Sequence, residues 1–581
     1  MLRQFREIEG RVIPHTSLLT PLGSNKAKLF LGALLLIPAI PAHPQNVLTQ
    51  HNDSLRTGAN LHETQLTPAS VKTNFGKLFS LPVDGQIYAQ PLIVNGVDIP
   101  GKGVRNVVYV ATMANTVYAF DADKPEQDCP IWKKNLGTPV PYELIPWNWG
   151  TVAHQYNIKP LIGITSTPVI DPVAGLIWVT VKTMLSRDDL RYYLYSLNIK
   201  TGDIVASSKP IESGEGKDKL QAQTALQRPG LLLANGMVYA AFGSHQDGGY
   251  YHGWLVAFDA ETLVQKYVFC VTPGDEEGEG GIWQAGNGPA ADSDGYIYIM
   301  TGNGKFEPDR RYGSSFVKLN SRLEVVDWFT PSNYARLSHD DIDLGSSGPM
   351  LLPDSDQLVG GGKQGWFYLL ERNHLGKLQP KHSVAPALQY FHVSSHWTLD
   401  WISWLLPVFG YHHIHGAPVY WKSAQSGPLV FVWPEETKLK GYEYDPASHF
   451  QTKPAVVGPK APPGMPGGFL SISANGAQDG LLWASIPRSK DALAAVVPGV
   501  LRVFDANTLE ELWSTDKKGS EELFDFAKFC PPTVANGKVY LATFSDKLNV
   551  YGLLPTPTAL PPWTKTGKRP KKEHGHGRMR M

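Results

Sequence analysis

The feature that most constrains this chain is a phrase that returns along nearly its whole length: a small or polar residue, a proline, a short apolar run, a turn, then a second apolar run. It reads AQPLIV at Pro91, STPVID at Pro168, QRPGLLLANG at Pro229, GNGPAADSDG at Pro289, SSGPMLLPDSD at Pro349, HGAPVYW at Pro418 and CPPTVANG at Pro532. Successive prolines stand 77, 61, 60, 60, 69 and 114 residues apart. The last interval is about twice the others, and a copy without the proline, GGFLSISANGAQDGLLWAS around Ser473, fills it, which makes eight units. Units of this length cannot bury an apolar face alone, so they must stack on their neighbours.

Within a unit the second run alternates with period two, as in VVYVAT from Val107, MVYAAF from Met237, YIYIMT from Tyr296 and KVYLAT from Lys538. That is the pattern of a strand whose successive side chains leave by opposite faces. A third run ends in Asp or Asn (VYAFDAD, LYSLNIKTG, LVAFDAETL, FVKLNSRL, LRVFDANTL), and a short fourth carries an aromatic residue, as at Trp132, Trp328 and Trp513. The pattern predicts an all-β fold, an eight-bladed β-propeller of four-stranded antiparallel blades. The last unit has no fourth strand after Leu553; FGKLFSLPVDG, residues 75–85, supplies it and closes the ring, which removes the free sheet edge. Separate sandwiches would need linkers between units, and none is visible before the C-terminal tail.

The propeller is expected over residues 46–554. Ahead of it, Leu29 to Ile40 is an apolar run that follows Lys26 and Lys28 and ends in Pro41 and Ala42. About 12 residues is too short to span ~30 Å of hydrocarbon, so residues 1–42 read as a secretory signal and the mature protein as periplasmic or secreted, with no transmembrane anchor. Residues 555–581 are Pro-rich and then basic, with Lys565, Lys568, Arg569, Lys571, Lys572, Arg578 and Arg580 facing only Glu573, and read as a disordered tail. Lys+Arg 53 against Asp+Glu 53 leaves no net charge with which to seek nucleic acid. Three cysteines, Cys129, Cys270 and Cys530, make no disulfide framework, and no C-x-x-C-H is present to attach a c-type haem.

The FDAxT phrase with its downstream aromatic resembles the Trp-docking repeat of the pyrroloquinoline quinone (PQQ)-like eight-bladed propellers. That superfamily holds quinoprotein dehydrogenases and also noncatalytic scaffolds. Three local matches, on successive blades and in the family's order, are more specific. IYIMTGNGKF resembles the dehydrogenases' strand ending in G-T-G-N, whose Asn ligates a calcium ion on the quinone, which implies Asn303 as a metal ligand. HDDID, His339 to Asp343, resembles their H-D-x-W-D, whose last Asp is the general base, which implies Asp343 as base and second metal ligand. GGGKQGWFYLLER resembles their A-x-K-x-G-F-x-Y-x-L-D-R, whose Lys contacts the quinone oxygens, which implies Lys363.

The resemblance thus implies PQQ and Ca²⁺ as cofactors and an alcohol or sugar as substrate, with Trp283 as the indole beneath the quinone. The residue types suit that chemistry: Ca²⁺ takes oxygen ligands, a carboxylate can take the hydroxyl proton, and an ammonium stabilises developing oxygen charge. Two family features are missing. No two cysteines are adjacent, and the family's glutamate ligand has only Asp247 near the matching place, in GSHQDGGYYHGWLVAFD.

Plainer readings of the same residues stay open. Asn303 suits a turn, Asp340, Asp341 and Asp343 a solvated loop, and Lys363 a hairpin turn. Gln90, Thr167, Arg228, Asn287 and His415 each stand just before a blade-starting proline or its Gly neighbour, and are expected to face the central channel. Such a ring binds a polar ligand or lines a water-filled funnel. His412, His413 and His415 invite a metal, but the sequence shows no third kind of ligand converging on them. The stretch from His396 to His413, with Trp397, Trp401 and Trp404 on one helical face, packs on the rim or holds a partner. Two function classes follow: a divergent quinoprotein with a small-molecule or glycan ligand in the funnel, or a noncatalytic scaffold for a protein or glycan partner.

Overall fold

In a computed structural model, residues 45–123, 129–145, 157–381, 383, 386–394, 412–517 and 522–555 are described, and all fall within the unit His43–Met581. The expected secretory signal, the basic tail and nearly all of the Trp-rich stretch lie outside the described residues. Among the described residues no helix is long and apolar enough to cross a membrane.

Among the described residues the strands form eight mainly antiparallel sheets of four or five strands, one for each repeat unit, together with two two-stranded ribbons, and the molecule is an eight-bladed β-propeller. The first blade shows the pattern: Leu92–Ile99, Gly103–Ala111, Thr116–Asp121 and Trp132–Asn135 pair in sequence order, inner edge to rim. The third, fourth, sixth and seventh blades carry a fifth short strand in addition to the expected four. Ring closure is as the sequence requires: Phe75–Pro82 pairs antiparallel with the last strand, Lys547–Leu553, from Phe75 opposite Leu553 to Pro82 opposite Lys547.

Burial lies between blades, because each sheet has two apolar faces and only a neighbour can cover each. Trp178 and Leu194 of the second blade pack with Val238, Phe242 and Val256 of the third. Met300 and Phe316 of the fourth pack with Leu358 and Tyr368 of the fifth. Indoles add a polar latch at these seams: Nε1 of Trp132 donates to the Ile199 carbonyl at 3.0 Å, that of Trp178 to Ala260 at 2.9 Å and that of Trp421 to Gly476 at 3.0 Å, each acceptor in the following blade. The turn that Trp132 docks on needs a glycine. A Cβ on Gly202, at φ +74°, would stand 2.5 Å from the Trp132 ring.

The channel is occupied by the chain itself. Residues 47–60 run along the innermost strands and bond to every blade in order. The Ile93, Ile170, Ala291, Leu351, Tyr420 and Ile472 amides donate to the carbonyls of Val47, Leu48, Ser54, Leu55, Thr57 and Gly58. Thr49 donates to the Leu231 carbonyl and Asn60 Nδ2 to that of Val534. In seven of these blades the partner stands two residues after the repeat's proline, and Ile472 is its equivalent in the copy without one. The inner sheet edges, which would otherwise present unpaired backbone groups, are satisfied this way. Arg56, fully buried, anchors the segment by donating to the carbonyls of Gln50, Leu231 and Pro289.

Candidate functional site

The axial segment decides which of the expected channel residues remain available. Gln90 accepts from the His51 amide at 3.0 Å, and Thr167 is bonded to Gln50, so both are spent on the segment. Asn287 donates to the Pro349 carbonyl at 3.2 Å. The expected ring is divided accordingly: of the five, Arg228 and His415 line one open cleft. That cleft holds about 840 Å³ of atom-free space, counted out to its mouth.

Lys363, Asp343 and Trp283 line the same cleft, and Asn303 lies against them. Asn303 follows the fourth-blade strand Ile297–Met300, Asp343 sits in the connection after the short helix Tyr334–His339, and Lys363 is in the turn between Gln357–Gly361 and Trp366–Glu371 of the fifth blade. They therefore come from two blades and the connection between them, not from three successive blades.

Asp343 is the hub, with 4% of its surface exposed. Its Oδ1 accepts from Trp283 Nε1 at 2.9 Å and from the Asn303 amide at 2.9 Å, and its Oδ2 meets Lys363 Nζ at 2.6 Å. Lys363 also reaches Asp341 Oδ1 at 2.8 Å, which in turn accepts from Asn303 Nδ2 at 2.8 Å. Gly302 makes room for this knot, since a Cβ there would stand 2.4 Å from both Asp343 Oδ1 and Trp283 Nε1.

Arg228 donates to the Trp283 carbonyl at 3.1 Å, and its guanidinium lies 5.6 Å from the Trp283 ring centre and 4.6 Å from that of Phe529. The indole expected beneath a planar cofactor is thus tied to Asp343 by its N–H and shares its face with a cation. Asp247 also lines the cleft, its carboxylate accepting from the Tyr251 hydroxyl at 2.5 Å.

Burial works against the charge of Asp343, but Lys363 and the hydrogen bonds outweigh it and hold this carboxyl below the usual range. Asp247 goes the other way, pushed up to about 6 by burial and then by the nearby Asp343 charge. Glu279 is pushed up to about 7 by burial, Asp247 and Asp343. Lys528, a buried residue of the same cleft, donates to the Ala492 carbonyl at 2.9 Å and is pulled down to about 7 by burial and by Arg228. The cleft thus combines a crowded carboxylate group with buried cations, an arrangement for a ligand that carries anionic groups and coordinates a cation.

Lys528 and Phe529 are the cleft features that sequence reasoning missed. A signal existed for Phe529, which stands three residues before Pro532 as Ser346 and His415 stand before Pro349 and Pro418.

No protein-family model matches the sequence, and no curated protein matches it either. Solved structures do. The chain resembles the quinohemoprotein alcohol dehydrogenase ADHIIG of Pseudomonas putida HK5, with a TM-score of 0.53 and 16% identity over 91% of this chain and 82% of that one. It resembles the quinohemoprotein alcohol dehydrogenase of Comamonas testosteroni, with a TM-score of 0.54 and 15% identity over 88% of this chain and 82% of that one. A europium-containing methanol dehydrogenase gives a TM-score of 0.53 and 14% identity over 88% of this chain and 98% of that one. At such identities the likeness is one of fold, the eight-bladed propeller.

Proposed function

We propose that this protein is a quinoprotein that holds PQQ and Ca²⁺ in the cleft and oxidises an alcohol or a sugar. The observation that carries the reading is Asn303 Oδ1, a buried oxygen with no hydrogen-bond partner among the described residues, beside the buried carboxylate of Asp343. Asp247 lines the same cleft and would add a third oxygen donor of the kind that suits Ca²⁺, and the carboxylate repulsion that adds to burial in raising Asp247 and Glu279 is what a divalent cation would relieve. Lys363 and Arg228 are placed to hold oxygens of the quinone. When bound, the quinone supplies the two-electron acceptor and Ca²⁺ polarises it.

The chain's own part is positioning and proton transfer. Asp343, held below the usual carboxylate range and so ionised at neutral pH, would take the substrate hydroxyl proton at Oδ2. Lys363 beside Oδ2 keeps that carboxylate charged between turnovers. Ile158, Met465 and Phe529 give the cleft an apolar wall that limits water. Export to the periplasm or medium belongs to the same proposal and is supported by the apolar run from Leu29 to Ile40.

The test adds PQQ and Ca²⁺ to purified protein and follows the quinone absorbance and dye reduction with an alcohol and aldose panel. A calcium-dependent spectral shift and dye reduction that Asp343→Asn abolishes are expected; no shift at saturating PQQ and Ca²⁺ removes the proposal.

A further inference from the structure

The histidines ahead of the sixth blade acquire in the fold the ligand that their sequence lacks. The His413 and His415 rings lie 5.6 Å apart, while Ile414 between them is fully buried in the apolar seam between the fifth and sixth blades. Facing them is Glu435, from the turn between Gly427–Val432 and Lys438–Asp445. Glu435 Oε1 stands 3.0 Å from His415 Nε2, and Oε2 stands 3.6 Å from His413 Nδ1. One ligand atom from each of the three residues fits within 4.8 Å of the others.

Two independent observations separate this group from an ordinary ion pair. First, His415 is 5% and Glu435 6% exposed, and His413 Nδ1, His415 Nε2 and Glu435 Oε1 are all buried atoms with no hydrogen-bond partner among the described residues. The 3.0 Å contact is close but lacks hydrogen-bond alignment, so three polar atoms converge without satisfying one another. Second, the backbone is fixed around them. The Glu435 amide donates to the His413 carbonyl at 3.0 Å, Ser346 Oγ donates to the Ile414 carbonyl at 2.7 Å, and the Ile414 amide donates to Gly362 at 3.2 Å. Gly467, at φ +81°, lies so close that a Cβ would stand 3.0 Å from the Glu435 amide nitrogen.

We infer that His413, His415 and Glu435 bind a divalent first-row transition cation of the Zn²⁺ type, separate from any Ca²⁺ at Asn303 and Asp343. Two imidazoles and a carboxylate are a borderline donor set that Zn²⁺ accepts and Ca²⁺ does not favour. Zinc ligands at about 2.1 Å in tetrahedral array lie about 3.4 Å apart; the 3.0 Å and 3.6 Å contacts, one to each carboxylate oxygen, are of that size. The ion joins the segment entering the sixth blade to that blade's second turn and stands in the cleft wall that His415 lines. Three protein ligands leave a position for water or another small ligand.

The test uses the full chain, stripped with a chelator and dialysed, and needs no quinone. Zn²⁺ is titrated against a chromophoric chelator in excess Ca²⁺, and Co²⁺ is added separately to read ligand-field bands in the visible. One tightly held Zn²⁺ per chain and a four- or five-coordinate Co²⁺ spectrum are expected. Glu435→Gln, close in shape and checked for fold by circular dichroism, is expected to weaken Zn²⁺ about a hundredfold or more and to erase the Co²⁺ bands. His374→Ala, an exposed histidine elsewhere, leaves both unchanged. Failure of the native chain to retain zinc, or equal zinc affinity in folded Glu435→Gln, overturns the site.

Discussion

Lys363 Nζ and Asp343 Oδ2 meet at 2.6 Å in the cleft wall, an ammonium from a fifth-blade turn neutralising a carboxylate from the connection that leads into that blade. Removing one partner strands the other charge in a buried place, which typically costs about 3 to 5 kcal/mol. Lys363→Met is therefore expected to lower unfolding free energy by about 3 kcal/mol in urea titration, with Asp341 and Asp343 left facing each other. The double variant Lys363→Met, Asp343→Asn is expected to recover part of that loss. Simple additivity of the two single changes would show that the pair is not coupled.

Gly302 tests whether the knot has slack. Gly302→Ala places a methyl 2.4 Å from both Asp343 Oδ1 and Trp283 Nε1, so one of them must move. The expected cost is about 1 to 3 kcal/mol, whereas Gly85→Ala, whose nearest neighbour stands at 3.4 Å, serves as a near-neutral control. Equal melting temperatures for the two variants would contradict the packing described.

Ring closure has its own probe in Phe75. Its ring centre lies 5.3 Å from that of Trp483 and 5.0 Å from that of Trp513, so the closing strand is clamped to the seventh blade as well as paired with the eighth. Phe75→Ala is expected to cost about 3 to 5 kcal/mol, read from the urea midpoint. A loss below about 1 kcal/mol would show that closure rests on strand pairing alone.

Lys528 predicts a pH dependence. Burial lowers its folded pKa from 10.5 to about 7, so between those values the unfolded chain binds the extra proton. Its contribution to stability therefore rises with pH across that window, and below about 7 the folded state carries the full cost of a buried ammonium. Relative to Lys528→Met, the native chain is expected to gain on the order of 3 kcal/mol between pH 7 and pH 10. Parallel calorimetric profiles for the two proteins would refute this.

The blades were legible because proline, period-two alternation and the Asp-ended third strand recur at one spacing, and local chemistry of that kind survives into the fold. Even the missing eighth strand was legible, since an unpaired edge on the strand ending at Leu553 demands a partner. The positions of Asn303, Asp343 and Lys363 could be read because each belongs to a short phrase in its own turn. Glu435 could not: it reaches His415 across a turn of another hairpin, and nothing in its local sequence marks that contact. The axial run of residues 47–60 was equally hidden, because it bonds to six of the blades through backbone groups, which every sequence possesses. Gln90 and Thr167, which it consumes, could not be told from free channel residues without it.

The run of residues 47–60 has a consequence for cohesion. Because it is stitched to all eight blades, no sector can swing outward without breaking a bond to one common cord.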